Sequence, residues 1–195
     1  EVCKQIRPKY VTVRDIMTEA QCLEAQIPYY PLEQILAWGQ DLQPYAEHVI
    51  FIPKYDCFDR LPADAVLGYS VPTSHGGTPL PVEAFCDHPV HLLGGSWRQQ
   101  LALIEQFQDV VVSADNNYIL LQAMNGNYVR ADGTTAHLSI GASVALPMLI
   151  CLALSFDAIT SRLVQLFPGQ AQLTEAADLD AFADARTAST DVPAA

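Results

Sequence analysis

Four clusters in this chain set carboxylates, imidazoles, glycines and aromatic rings at spacings that could do chemistry. The last of them is Asp109 followed by Val110-Val111-Val112-Ser113-Ala114-Asp115-Asn116-Asn117. It places a carboxylate just after an apolar run, where an ionised group is costly unless it is paired or used. Glycosidic chemistry needs such a group, to trap or stabilise an oxocarbenium-like sugar. Asp115 is the candidate for that role. Its alternative is to cap the helix that follows, and the register leaves Asp109 open as the reacting carboxylate.

The first cluster, Pro53-Lys54-Tyr55-Asp56-Cys57-Phe58-Asp59-Arg60, packs two carboxylates beside two cations. Asp56 could recognise a base edge or act as an acid or base. Asp59 and Arg60 read as a loop ion pair. The second runs Gly68-Tyr69-Ser70-Val71-Pro72-Thr73 and then Ser74-His75-Gly76-Gly77-Thr78-Pro79. Glycine lets backbone approach a flat ligand, Tyr69 could stack on a base, and His75 could carry a proton. His-Gly-Gly is also the pattern of an esterase oxyanion loop. Its partner, Gly-x-Ser-x-Gly, is missing, because Gly94-Gly95-Ser96-Trp97-Arg98 lacks the final glycine. The third, His91-Leu92-Leu93-Gly94-Gly95-Ser96-Trp97-Arg98-Gln99-Gln100, opens an amide-lined pocket at a helix start, suited to an anion or a purine edge. Gly94, Gly95 and Ser96 would line that pocket. Trp97 would stack and Arg98 would hold phosphate, and Trp97 also reads as core.

These clusters need elements to hold them. Short apolar runs at 49–52, 65–71, 90–93 and 110–112 predict four buried strands, each ending in one of the clusters. Helical patterns follow Pro31 and Ser96, the latter a natural N-cap, and a further helix is expected over 118–124. Residues 10–13 predict a short strand and 16–25 a helix. Residues 128–129 suggest one more strand, and a long apolar helix ends near Phe167, before Pro168-Gly169. Chemistry gathers at the C-terminal ends of parallel strands, which is where every cluster lies. The domain plan is an N-terminal arm over 1–28, an α/β domain over 29–169 and an acidic mobile tail over 170–195.

Composition narrows the classes. Half of the 195 residues are hydrophobic and 16% are charged, which excludes wholesale disorder. Net charge is −12, against the basic face usual in nucleic-acid proteins. Lys4, Arg7, Lys9 and Arg14 nevertheless crowd the N-terminal arm, and Glu175, Asp178, Asp180, Asp184 and Asp191 the tail. Five cysteines without CxxC spacing suggest no metal or redox pair and a reducing cytoplasm. The stretch 138–156 has about the length of a bilayer span, yet Pro147 and three serines favour a buried helix and no membrane.

The order of the clusters, Gly68-Tyr69-Ser70-Val71, then His91-Leu92-Leu93-Gly94-Gly95, then a helix, then Asp109 through Asp115, resembles the second half of the tRNA-guanine transglycosylase barrel. Bacterial and phage relatives that exchange guanine for a deazaguanine in DNA look closer still, sharing the Ser-Val-Pro-Thr run. The resemblance spans roughly residues 48–117. It implies a trimmed or incomplete (β/α) TIM-barrel-like fold with parallel strands, since 195 residues are fewer than a usual eightfold barrel. The family's zinc ligands are absent from the sequence, so neither metal nor cofactor is expected. The implied activity is cleavage of the N-glycosidic bond of a nucleobase in nucleic acid, DNA before RNA, after base flipping. Asp115 would attack or stabilise C1′. Asp56 or His75 would protonate or recognise the departing base, and Gly68, Tyr69, Ser70, Gly94, Gly95, Ser96, Trp97, Arg98 and Asn116 would bind it. Excision is preferred to base exchange. Two alternatives stand beside this reading: a non-catalytic nucleotide- or protein-binding module on a decayed barrel, and a small-molecule N-ribosyl hydrolase.

Overall fold

The computed structural model describes residues 2–74, 76–138 and 145–167. Among them, five strands form one parallel sheet: β1 (Tyr10–Ile16), β2 (His48–Pro53), β3 (Val66–Ser70), β4 (Val90–Leu93) and β5 (Val111–Asp115). They lie side by side in chain order, each parallel to its neighbour. Around them are α1 (Val2–Ile6), α2 (Glu19–Glu24), α3 (Leu32–Leu42), α4 (Trp97–Gln106), α5 (Tyr118–Met124) and α6 (Ala145–Leu166). A small antiparallel pair, β6 (Asn127–Val129) and β7 (Thr135–His137), stands apart. The chain therefore has the parallel α/β architecture that its apolar runs predict.

Alternation along the strands gives the sheet two unequal faces. Val13, Val49, Phe51, Leu67, Tyr69, Val90 and Leu92 join the main core with Leu32 and Ile35 of α3, Trp97, Leu101 and Ile104 of α4, and Ile159 of α6. The opposite face carries a smaller cluster of Ile50, Ile52 and Val66, with Tyr10 and Leu93 against it.

Three sequence expectations change. The strand expected at 10–13 runs on to Ile16 through a register irregularity between Thr12 and Asp15, and α2 starts only after the capping box of Thr18 and Gln21. This strand pairs with β2, so residues 10–16 of the N-terminal segment belong to the sheet. At the other edge, β5 continues through Ser113 and Ala114 to Asp115, because an edge strand open to water accepts polar residues that a central strand would not. The long helix is buried on one side only: Cys151, Ser155 and Ile159 are covered, while Leu149, Phe156 and Val164 are exposed. Its stretch Met148–Leu166 is apolar and long enough to cross a membrane, with mean hydropathy 1.5 and 17% of its residues buried, a criterion of length and composition only. The expected tail lies outside the described residues.

Helix α3 presents Leu32, Ile35 and Gly39 to the sheet, the spacing of one helical stripe. Gly39 is what lets α3 come so close: a Cβ there would overlap Phe51 Cζ and lie 2.8 Å from its Cε1. Phe51 is 5% exposed and has nowhere to go. Gly39→Ala gains roughly 1 kcal/mol of helix propensity but overpacks the core, at a cost of about 1–3 kcal/mol. A lower urea midpoint is the expected net result; a raised midpoint would mean that α3 shifts freely.

Candidate active site

The C-terminal ends of the strands converge on the sheet face opposite the helices. Ser70, Leu93 and Asp115 stand in register across β3, β4 and β5. Two residues earlier on each strand, on the same face, are Gly68, His91 and Ser113. This second row exists because the β4–β5 register slips between Val90 and His91, which leaves Val112 unpaired and brings Ser113 opposite His91.

His91 is the centre of the cluster. It is 5% exposed, its Nδ1 lies 2.6 Å from Ser113 Oγ, and its Nε2 lies 3.6 Å from Asp115 Oδ2. Nε2 is buried and makes no hydrogen bond within normal reach. The Tyr10 ring stands 6.0 Å from the imidazole and stacks in turn on His48, with Lys9 above Tyr10. Burial pushes the His91 pKa down, and the Asp115 carboxylate partly opposes that shift. The Asp115 side chain is 63% exposed, a carboxylate facing solvent at the end of a strand with a buried imidazole behind it.

Gln100 holds the backbone on which Asp115 sits. This side chain of α4 is 1% exposed. Its Nε2 donates to the carbonyls of Gly94, at 2.8 Å, and Asp115, at 2.7 Å, and its Oε1 accepts from Asn116 Nδ2 at 2.5 Å. Gly94 N–H donates to the same Asp115 carbonyl at 3.0 Å. One glutamine thus ties the ends of β4 and β5 together.

At the far side of the same face, Lys54 Nζ lies 3.2 Å from Asp15 Oδ2. Lys54 is 7% exposed, so the pair is a largely covered cation with a half-exposed carboxylate. Gln21 Nε2 donates to the Lys54 carbonyl at 3.0 Å, which ties α2 to the end of β2.

Several expected roles move. Asp115 closes β5, whereas Asp109 lies in the turn before it, at the opposite end of the strand. Tyr69 points to the other face, packs edge-on against Phe85 at 5.2 Å and cannot stack on a ligand. Trp97 is 3% exposed within the main core and is likewise no platform. Gly68 faces the site row, but a Cβ there would meet Leu93 Cδ1 at 2.7 Å and Ile52 Cγ1 at 2.8 Å, so side chains and not a ligand fill its space. Ser96 is the N-cap of α4, in a capping box with Gln99, and its hydroxyl is engaged there. Asn116 is engaged at both ends, with Gln100 and with the Tyr118 amide.

Gly94 and Gly95 take positive φ, 67° and 76°, as a strand-to-helix turn requires. The space above Gly94 is open, whereas Gly95 packs on Val71. Ser70 ends β3 and is half-buried, and Arg98 is exposed in the first turn of α4, its backbone packed against Gly133. Asp56 is exposed in the loop after β2, with β3 and β4 between it and β5. Arg60 pairs with Glu33 and not with Asp59. His75 lies outside the described residues.

The pattern of the sequence did not single out His91, Ser113, Gln100 or the Lys54–Asp15 pair. Period-two alternation from Asp115 back to Ser113 was the signal available for the first two. Cysteine chemistry is not supported at Cys57, whose thiol burial pushes up to about 11. Among the described residues, no three His, Cys, Asp or Glu side chains group closely enough to hold a metal.

Neither the curated proteins nor the solved structures contain a significant match to this chain. A family model does match, over residues 1–154, the span that includes the entire parallel sheet and both glycines of the β4–α4 turn, and by that match the chain belongs to DUF6610, a family of unknown function.

Proposed function

We propose that this protein acts on the N-glycosidic bond of a nucleobase in nucleic acid, with Asp115 as the group that attacks or stabilises C1′. The observation that carries this reading is the placement of Asp115: a carboxylate at the C-terminal end of a parallel strand, open to solvent, backed by the buried His91. Two further features support it. Chain-order parallel strands with the main helical core on one face are what a sector of a (β/α) barrel looks like, so the incomplete TIM-barrel-like fold is our reading of the sheet. The strand-end motifs that resemble the transglycosylase family fall along one edge of that sheet.

In this mechanism the base is flipped to the mouth formed by Ser70, Gly94 and Asp115. Asp115 forms an ester with C1′ as the C1′–N bond breaks, and the departing base takes the bond's electron pair and a proton from water. Hydrolysis of the ester then regenerates the carboxylate and leaves an abasic sugar. Entry of a second base in place of water would give exchange; excision is preferred. Lys9, just before β1 and over the Tyr10 ring, and Arg14, within β1 and over the Tyr30 ring, are candidates for phosphate contact.

The test is incubation of the protein with duplex and single-stranded DNA carrying ordinary and modified bases, with mass spectrometry for free base and abasic sites. Free base is the expected result. Uptake of a labelled free deazaguanine without net release would assign exchange. Cleavage of free nucleosides but not of polymer would favour the N-ribosyl hydrolase, a reading that the net charge of −12 supports. Binding to DNA should weaken as salt rises, because the contacts are to phosphates; salt-independent binding would remove the polymer from the reading.

A further inference from the structure

Among the described residues, the imidazole of His91 is the one nine-tenths-buried polar ring on the site face, and its Nε2, which has no hydrogen-bond partner, lies 3.6 Å from Asp115 Oδ2. The hydrogen-bonding inventory of its neighbours decides which nitrogen bears the proton. An ionised carboxylate only accepts, so the nitrogen facing Asp115 must carry hydrogen. In a neutral ring the other nitrogen then offers a lone pair, and Ser113 Oγ, 2.6 Å from Nδ1, is a hydroxyl able to donate to it. The chain Ser113–His91–Asp115 thus runs in one direction, each donor pointing towards the carboxylate.

We propose that His91 is a positioning residue, held by Ser113 as the Nε2–H tautomer, that orients Asp115 by donating to Oδ2 and leaves Oδ1 free for the reacting carbon. The catalytic part of this rests on the glycosidic reading above; the tautomer and the donation do not. The 3.6 Å separation is a charge–dipole contact that a small movement of the exposed Asp115 side chain shortens to a hydrogen bond. The groups that face the ring are few: Tyr10 from β1, Gly68 from β3, and Ser113 and Asp115 from β5, with Lys9 and His48 reached through Tyr10. Among the described residues no Lys or Arg pairs with the Asp115 carboxylate, so a neutral donor fills the role.

The experiment has two arms. Long-range proton–nitrogen NMR spectra of the imidazoles, taken without substrate, should show His91 as the Nε2–H tautomer in the wild type. Ser113→Ala should turn it into a mixture, and Asp115→Asn should move its Nε2 resonance. A predominant Nδ1–H form, or spectra indifferent to both substitutions, overturns the proposal. In the second arm, base release by His91→Gln, which keeps a donor near the Nε2 position, should stay within about tenfold of wild type. His91→Leu should fall about 100-fold in kcat with KM unchanged, the scale of a misplaced reacting group. Equal losses in the two variants would make His91 merely structural. The expected spectra together with no release on any substrate would leave the orientation standing and overturn only the glycosidic reading.

Discussion

Asp115→Asn is expected to reduce base release by about 10³-fold or more, equivalent to roughly 4 kcal/mol of barrier. The amide is isosteric with the carboxylate but is a poor nucleophile and carries no charge with which to stabilise a cationic sugar. The fold should not notice. The side chain is 63% exposed, and the interactions that anchor the residue are made by its carbonyl, which accepts from Gly94 and Gln100. A denaturation midpoint within about 0.5 kcal/mol of wild type is therefore expected. Loss of activity at unchanged stability would assign the carboxylate to chemistry. Full base release by the variant would remove Asp115 from the mechanism, and retention of ligand binding in a protein that never releases base would favour the binding module.

Gln100→Leu should have the largest effect on stability. Leucine nearly conserves the volume, so no cavity is expected; what is lost is three part-buried hydrogen bonds. The Gly94 carbonyl and the Asn116 amide are left without their partner, and the Asp115 carbonyl keeps only the Gly94 amide. At about 1–3 kcal/mol for an orphaned buried group, and with partial relaxation, a loss of about 2–4 kcal/mol follows. Gln100→Glu should be worse at neutral pH. It retains an acceptor for Asn116 but sets a buried charge against two carbonyl oxygens. Urea unfolding of both variants, with circular dichroism, would read the order. A wild-type midpoint for Gln100→Leu would show that the ends of β4 and β5 hold together without the clamp.

The parts of the fold that were legible in the sequence are those where one physical signal acts alone. The run that became β2 is apolar on both sides because both faces of a central strand are covered. Helix α4 announced itself through Ser96, and α5 lies within the bounds that its pattern predicts. Edge strands were harder to read. Thr12, Arg14 and Asp15 interrupt β1, and Ser113 and Asp115 interrupt β5, because each edge meets water. The site suffered from the same period of two. Tyr69 sits between Gly68 and Ser70 and so must face the opposite way, into the helices, where its ring is core. Trp97 follows Ser96 into the first turn of α4 and turns inward. Gln100 carries no local signal, since nothing in its neighbourhood distinguishes a glutamine that faces water from one that bridges two strand ends. His91 was visible within an apolar run, but its pairing with Ser113 depends on the slipped β4–β5 register, a long-range fact that neither segment contains.

The chain-order arrangement of the sheet also governs how the protein can be made. Every strand pairs with the one synthesised just before it, so each hydrogen-bonded edge exists when its partner emerges from the ribosome. A doubly wound sheet, by contrast, leaves an early strand waiting for partners encoded much later. Here the sheet can lengthen stepwise from β1, with each closure spanning a single crossover and a modest entropic cost. The edge that carries Ser113 and Asp115 is the last of the sheet to emerge. An interrupted or truncated product that stops before Val111 would carry a largely paired sheet but lack Ser113 and Asp115, leaving His91 without either neighbour.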